Sequence, residues 1–250
     1  LDIAQRLVLA VMLDYLTRKD KSLSYIETHA GRGLYVLDAP EAERTGEAAA
    51  GILRVERLGW FAPDHPYARV LAETRAAHGP PAYPGSPEIA ARLLRTFDSL
   101  HLAELHPRER EALVAAMAGR PNVSIYGRDG LDLARSITPP TPRRGLMLVD
   151  PSYEVKTDYA AMAKLLRDVH RKWNVGTLVL WYPILASGAH LAMAADLASA
   201  GMPGTLVHEV TFPPAREGHG MRGSGLIVIN APYGTEVETA RLSSLFAALR

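Results

Sequence analysis

The sequence predicts an α/β fold: a doubly wound, seven-stranded, mostly parallel sheet of Rossmann-like type, with a small helical insertion after the first strand. Three observations predict it. Seven short apolar, β-rich runs punctuate the 250 residues. Helical-period stretches lie between most of them, the alternation that yields a parallel sheet covered on both faces. One interval, from Thr28 to Leu100, spans about seventy residues, whereas a crossover between parallel strands needs only ~10–30.

The chain opens with "LDIAQRLVLAVMLDYL". This reads as an amphipathic helix and not as a signal peptide, because Asp2, Gln5, Arg6 and Asp14 interrupt it and no small-residue cleavage site follows. The strand runs are 23–28, 100–105, 122–127, 145–150, 177–183, 206–212 and 225–230. The long interval implies an inserted helical piece at 40–84, closed by the turn-rich "PPAYPGSP", so that 1–39 and 85–250 form the main domain. Helical periodicity follows over 88–97, 107–117, 158–173 and 187–201, the last ending on Gly201, a residue suited to the position just past a helix. Only "PPAREGHGMRGS" separates the last two strand runs. It is too short and too rich in Gly and Pro for a crossover helix, so those runs are expected to form an antiparallel hairpin at the sheet edge.

Composition narrows the function classes. Hydrophobic content of 48% with 22% charged residues is that of a globular chain, and no apolar run approaches the ~18 residues that span a bilayer. A soluble, monomeric protein with no membrane partner is expected. The absence of Cys excludes disulfides and thiolate metal sites and fits the reducing cytoplasm. The nine His residues show no ligand-like spacing, so no metal is expected. With a net charge of only +1, any nucleic-acid surface must be a local patch.

Four motifs fall after strands one to four, on the carboxyl edge where doubly wound sheets bind ligands. "ETHAGRG" sets Gly31 and Gly33 after the first strand, where a ligand can approach the backbone; the third glycine of a dinucleotide fingerprint is missing, and in isolation a plain turn is the better reading of the pair. Glu104 ends the second strand, as an acceptor for ribose hydroxyls or as a solvated charge. Asp129-Gly130 follows the third, as a receptor for an adenine amine or as a common turn. "LVDPSYEV" closes the fourth. There Asp150 and a following carbonyl can accept both hydrogens of an exocyclic amine while the Tyr153 ring stacks on a base; a turn or helix cap before Asp158 is the alternative. Amine methylation needs such acceptors, because they favour the positive charge that develops on a poorly nucleophilic nitrogen. The ordered alignment of all four on one edge outweighs the separate turn readings.

The set resembles a class I S-adenosylmethionine-dependent methyltransferase of the adenine-N6 type, whose hallmark is [D/N/S]-P-P-[Y/F/W] after strand four. More closely, "YIETHAGRGLY", "AERTGE", "YPGSPEIAARLL", "DSLHLAELHP", "RRGLMLVDPSYEVKTDY", "LWYPI" and "GMRGSGLIVINAPYG" resemble the RlmJ family over nearly the whole chain. The resemblance implies a cytoplasmic enzyme that methylates the N6 amine of one adenosine in 23S ribosomal RNA, with S-adenosyl-L-methionine as cofactor. It implies cofactor contacts at His29, Ser86, Glu104, Asp129 and Gly130. It implies Asp150 as the catalytic acceptor, Pro151 as a carbonyl acceptor and Tyr153 as the stacking ring. Two departures stand out: Ser152 replaces the family's second proline, removing a φ lock, and Gln5-Arg6 stand where the family reads Lys-His. Those departures motivate an alternative, a catalytically impaired paralogue that binds cofactor or RNA without turnover. A nicotinamide oxidoreductase is disfavoured by the incomplete glycine fingerprint. Candidate RNA phosphate contacts are Arg143, Arg144, Lys156, Arg216, His219 and Arg222, with the loop "PPAREGHGMRGSG" placed over the site.

Overall fold

A computed structural model describes residues 3–37, 46–153, 158–212 and 220–249. Helix α1 (Ile3–Thr17) leads into β1 (Ser24–Glu27), β2 (Leu34–Val36), α2 (Gly46–Arg57), α3 (Pro66–His78) and β3 (Ala82–Pro84). There follow α4 (Ser86–Leu93), β4 (Ser99–Ala103), α5 (Pro107–Ala116), β5 (Val123–Tyr126), α6 (Gly130–Ile137) and β6 (Gly145–Val149). The chain continues through α7 (Asp158–Lys172), β7 (Thr177–Leu185), α8 (His190–Ser199), β8 (Leu206–Thr211), β9 (Met221–Ile229) and α9 (Thr235–Ala247). The main sheet has seven strands in the order β5-β4-β1-β6-β7-β9-β8. The strands from β5 to β7 are parallel, and β9 runs antiparallel to both β7 and β8.

All seven expected strands are present. The strand order reverses direction between β1 and β6, which opens a crevice at their carboxyl ends, the position where open α/β sheets bind ligands. Alternation along each strand divides the interior in two. Tyr25, Leu146, Leu148, Val179, Leu226 and Val228 face a core shared with α1, α4 and α9. Ile26, Met147, Val149, Leu178, Leu180 and Ile227 face the opposite core, built with α7 and α8.

The structure departs from the sequence reading in four places. Helix α1 is not amphipathic in use: Ala4 to Ala10, Met12 and Leu13 are all buried, including Gln5 and Arg6. It lies between the sheet and a second helical layer, so it has no solvent face over its first turns. The Thr28–Leu100 interval contains α2 and α3 but also β2 and β3, a two-stranded antiparallel ribbon with Tyr35 opposite Tyr83. Ile52, Val55, Trp60, Tyr67, Val70 and Leu71 from this interval belong to the same buried cluster as α1. Strand β9 begins at Met221, four residues before the expected start, because the "MRGS" segment pairs with both Leu185 and the end of β8. Helices α6 and α9, which the periodicity reading passed over, complete the two faces. The close of α8 matches expectation: Gly201 takes φ 59° just past the helix.

The junction between α1 and β1 is fixed by one arginine. Asp98, 1% exposed, accepts hydrogen bonds from the Leu23 amide at 2.9 Å and from Arg95 Nε at 2.9 Å. Arg95 then donates to the carbonyls of Thr17, Lys19 and Lys21. The Thr17 carbonyl closes the helix and lacks an intrahelical partner, Lys19 and Lys21 follow in the turn beyond it, and a cation there also answers the helix dipole. Arg144 adds hydrogen bonds to the carbonyls of Lys21 and Leu16.

Because α1 is packed on all sides, truncating it creates a void that cannot collapse. Leu9→Ala, at a fully buried position, is expected to lower unfolding free energy by about 2–5 kcal/mol. Leu53→Ala on α2, where the side chain is 42% exposed, is expected to change it by less than about 1 kcal/mol. Urea unfolding of the two variants measures both, and equal losses would contradict the buried position of α1.

Candidate active site

The four sequence motifs converge on the carboxyl edge of the sheet. Glu27 ends β1, Glu104 follows β4, Asp129 precedes α6 and Asp150 follows β6, on adjacent strands or their loops. Gly31 and Gly33 both adopt positive φ, 61° and 74°, so the turn after β1 takes a path that side chains disfavour. The Gly33 carbonyl accepts the Gly85 amide at 2.7 Å, which ties this turn to the start of α4. Gly130 is required by contact: a Cβ there would lie 1.8 Å from the Thr28 carbonyl oxygen. The first turn of α6 therefore presses directly on the end of β1.

Two of these acids are held by backbone amides. Glu104 accepts the Gly31 amide at 2.8 Å on Oε2 and the His106 amide at 2.7 Å on Oε1, which orients its carboxylate and locks the glycine turn. Asp129 is the N-cap of α6, with Oδ1 accepting the Leu131 and Asp132 amides at 2.8 and 2.9 Å. The cap reading of this Asp-Gly pair is thus realised, and Oδ2 is left for another partner. His29 is half-buried with Nδ1 2.8 Å from Thr28 Oγ1. Burial pushes its proton affinity down, against the nearby Asp129, Glu104 and Asp158 carboxylates that pull it up.

Ser86 does not stand alone. Its hydroxyl, at the first position of α4, is 2.5 Å from Glu27 Oε1, while Tyr25 donates to Glu27 Oε2 at 2.8 Å. Glu27 is fully buried, and desolvation raises its pKa from the ordinary 4.5 to about 8, with the Asp150 charge adding to the rise. The sequence reading missed Glu27, although it carries the same signal as Glu104: an acid at a strand end directly before a ligand-edge turn.

Asp150 is partly buried, followed by a buried Pro151, an exposed Ser152 and a partly buried Tyr153. Its Oδ2 accepts a hydrogen bond from Gln5 Nε2 at 2.8 Å. Tyr153 adopts φ 52°, a left-handed conformation that costs a non-glycine residue roughly 1–2 kcal/mol. Two contacts stabilise it: its hydroxyl donates to the Trp181 carbonyl at 2.8 Å, and its ring lies 4.5 Å from that of Tyr159. Ser152 therefore leaves the turn without a proline lock while Tyr153 is held by its own packing. Gln5-Arg6 also lie at this site. The Arg6 guanidinium is buried 5.4 Å from the centres of both the Tyr35 and Tyr83 rings and donates to the Pro84 carbonyl at 2.7 Å.

The nominated RNA contacts divide. Arg143 and Arg144 precede β6, at the amino edge of the sheet, a full strand length of ~17 Å from the Asp150 end. Arg143 reaches the Lys172 carbonyl and Arg144 those of Lys21 and Leu16. Arg222 is exposed on β9 beside the carboxyl end of β7. Lys156, Arg216 and His219 lie outside the described residues, as does most of the loop expected over the site. Among the described residues no group of acids and histidines is arranged to hold a metal ion, and no helix is long and apolar enough to cross a membrane.

A sheet of this order, with one antiparallel strand beside its edge and carboxylates gathered at the switch between β1 and β6, is the architecture of class I S-adenosylmethionine-dependent methyltransferases. A human methyltransferase 10 domain containing protein shares the fold alone, at TM-score 0.50 and 7% identity over 93% of this chain and 85% of that one. The family model described as "Ribosomal RNA large subunit methyltransferase D, RlmJ" matches residues 20–248. The chain belongs to that family. It is 36% identical over 240 residues to the ribosomal RNA large subunit methyltransferase J of Escherichia coli (strain K12), covering 94% of this chain and 84% of the relative. The Haemophilus influenzae protein of the same name is 33% identical, with 95% and 85% covered. A crystal structure of a Legionella pneumophila protein superposes with TM-score 0.88 at 30% identity, covering 99% of this chain and 91% of that one.

The buried Glu27 carboxyl makes a test of the site's electrostatics. An acid that holds its proton more tightly when folded loses native stability as pH climbs from its unfolded value toward its folded one, because the unfolded chain releases the proton first. For Glu27 that window runs from about pH 4.5 to about 8. Glu27→Gln is expected to gain stability relative to the natural chain across this window, by at most about 1.4 kcal/mol per pH unit. Urea unfolding at a series of pH values reads the difference, and a difference independent of pH would contradict a buried neutral carboxyl.

Proposed function

We propose that this chain transfers a methyl group from S-adenosylmethionine to the exocyclic N6 amine of an adenosine in 23S ribosomal RNA. The observation that carries the reading is the strand-end turn after β6, where Asp150 is oriented by a buried donor and Tyr153 is held in a strained conformation beside it. Strain of this kind persists where surrounding contacts over-determine it, which is the pattern of functional turns.

The residues at the carboxyl edge fit the cofactor. The Gly31–Gly33 turn and the Thr28–Gly130 contact form a cradle that side chains would fill. Glu104, already oriented by two amides, would accept from the ribose hydroxyls; Asp129 Oδ2, with Gly130, would meet the adenine amine. His29, Ser86 and Glu27 would line the amino-acid end. The cofactor, when bound, supplies an electrophilic methyl group on a sulfonium.

The protein's part is positioning and charge. Asp150 and the Pro151 carbonyl accept the two hydrogens of the target amine, which favours the positive charge that grows on nitrogen as it attacks. Tyr153 stacks on the base, and holding amine and methyl in line removes the entropy of their encounter. The base must leave its stack to reach Asp150. The bond from methyl to sulfur breaks as the bond to nitrogen forms, leaving S-adenosylhomocysteine, and the amine's surplus proton would pass by way of Asp150 to solvent.

Residues 1–39 and 85–250 would act as the methyltransferase domain and 40–84 as an insertion subdomain. The latter is tied to α9 through a buried His65–Glu238 contact at 3.3 Å. Arg222, with Lys156, Arg216 and His219, would meet RNA phosphates; Arg143 and Arg144, at the far edge, fit scaffold roles better. A monomer acting on ribosomal RNA in the cytoplasm completes the reading.

Asp150→Ala is expected to lower methyl transfer to a 23S ribosomal RNA transcript by at least roughly a hundredfold, while calorimetric affinity for S-adenosylhomocysteine changes by less than about threefold. Glu104→Ala should do the reverse, weakening cofactor binding first. Retained transfer in Asp150→Ala would overturn its role. Tight cofactor binding by the natural chain with no transfer, restored by Ser152→Pro, would favour an impaired paralogue.

A further inference from the structure

The position of Gln5 bears on the reaction as well as on the fold. Helix α1 points its amino-terminal turn at the carboxyl edge of the sheet, and Gln5, 5% exposed, places Nε2 2.8 Å from Asp150 Oδ2, 145 residues away in sequence. We infer that Gln5 is a positioning residue for methyl transfer, its hydrogen bond to Oδ2 setting the orientation in which the Asp150 carboxylate meets the substrate amine. The inference rests on the role given to Asp150 above.

Two features make the hold specific. The helix cannot swing, because Leu7, Val8 and Leu9 behind Gln5 are fully buried. Arg6 is clamped by the Tyr35 and Tyr83 rings and the Pro84 carbonyl. The β2–β3 ribbon thereby sets the position of the first turn of α1, and the first turn sets the rotamer of Asp150. Charge is separated from orientation as well. A primary amide donates a hydrogen bond without neutralising its partner, and the cation next in sequence donates to the Pro84 carbonyl and packs against the Tyr35 and Tyr83 rings. The positive charge that develops on the attacking nitrogen favours a carboxylate whose positioning donor does not draw on its charge. A lysine at position 5 would orient Asp150 equally but would draw on that charge.

Among the described residues, Tyr25 and Glu27 of β1, Tyr35 of β2 and Tyr153 in the strand-end turn feel the Asp150 charge, with Arg6 of α1 acting on Glu27 and Asp158 of α7 acting on Tyr153. A change at position 5 is read against this fixed background.

The test uses the full chain, S-adenosylmethionine and a 23S ribosomal RNA transcript, with kcat, KM and the pH profile of kcat measured for three variants. Gln5→Ala is expected to lower kcat by roughly tenfold to a hundredfold, the effect of losing a hydrogen bond to a charged group, with cofactor affinity within about twofold. Gln5→Lys should recover most of that loss and move the acid limb of the profile to lower pH, because an adjacent ammonium favours the ionised carboxylate. Gln5→Glu should recover nothing and move the limb upward. A buried polar residue with only a structural role would instead cost activity in step with the unfolding midpoint and leave the acid limb in place. That result, or natural kcat in Gln5→Ala, would overturn the inference while leaving the proposed function intact. Absence of transfer by the natural chain would overturn both, so the two failures are distinguishable.

Discussion

A polar group taken out of water must find a partner inside, and the burial of α1 obliges the rest of the structure to supply those partners. The helix lies between the sheet and the layer formed by α3, α4 and α9, with Leu7 to Ala10 fully buried. At its amino end Gln5 is met by Asp150 and Arg6 by Pro84 and two tyrosine rings. At its carboxyl end the carbonyls of Leu16, Thr17, Lys19 and Lys21 are met by Arg95 and Arg144. One element therefore links the two edges of the sheet, and the demands of its burial determine how the strand-end acid at the site is oriented.

The same constraint explains the distribution of charge at the carboxyl edge. Four acids meet near one crevice, an arrangement that repulsion alone would oppose. Glu104 and Asp129 remain near solvent and are stabilised by backbone amides, the donors that a carboxylate at a turn or helix start readily finds. Glu27, fully buried, is met by two hydroxyls and driven toward its neutral form. Asp150 accepts a hydrogen bond from the buried Gln5 amide. The acids are thus held in distinct environments, which lets one sheet edge gather four carboxyl groups without mutual disruption.

Much of the architecture was legible in the sequence because its signals are local. The seven β-rich runs, the over-long interval after Thr28 and the Gly201 stop are each read within a short window, and all correspond to observed elements. The strand-end residues Glu104, Asp129 and Asp150 were legible for the same reason. What was not legible depends on contacts far apart in the chain. The burial of α1 comes from a second layer of helices that periodicity within α1 cannot reveal. The Tyr35–Tyr83 ribbon joins the segment before the insertion to the insertion's last residues. The Gln5–Asp150 hydrogen bond spans most of the molecule, so that Gln5-Arg6, readable only as a departure from the family, turns out to lie in the site. Glu27 was locally visible and was passed over because attention fell on the glycines that follow it.

The central claim is that the carboxyl edge of this sheet delivers a methyl group to the N6 amine of an adenosine in ribosomal RNA. It is tested most directly by incubating the natural chain with S-adenosylmethionine and unmodified 23S ribosomal RNA, then identifying the methylated nucleoside by mass spectrometry after complete digestion. N6-methyladenosine at a single position is the expected product. A methyl group on another base or atom, or no transfer at cofactor concentrations that saturate binding, would contradict the account.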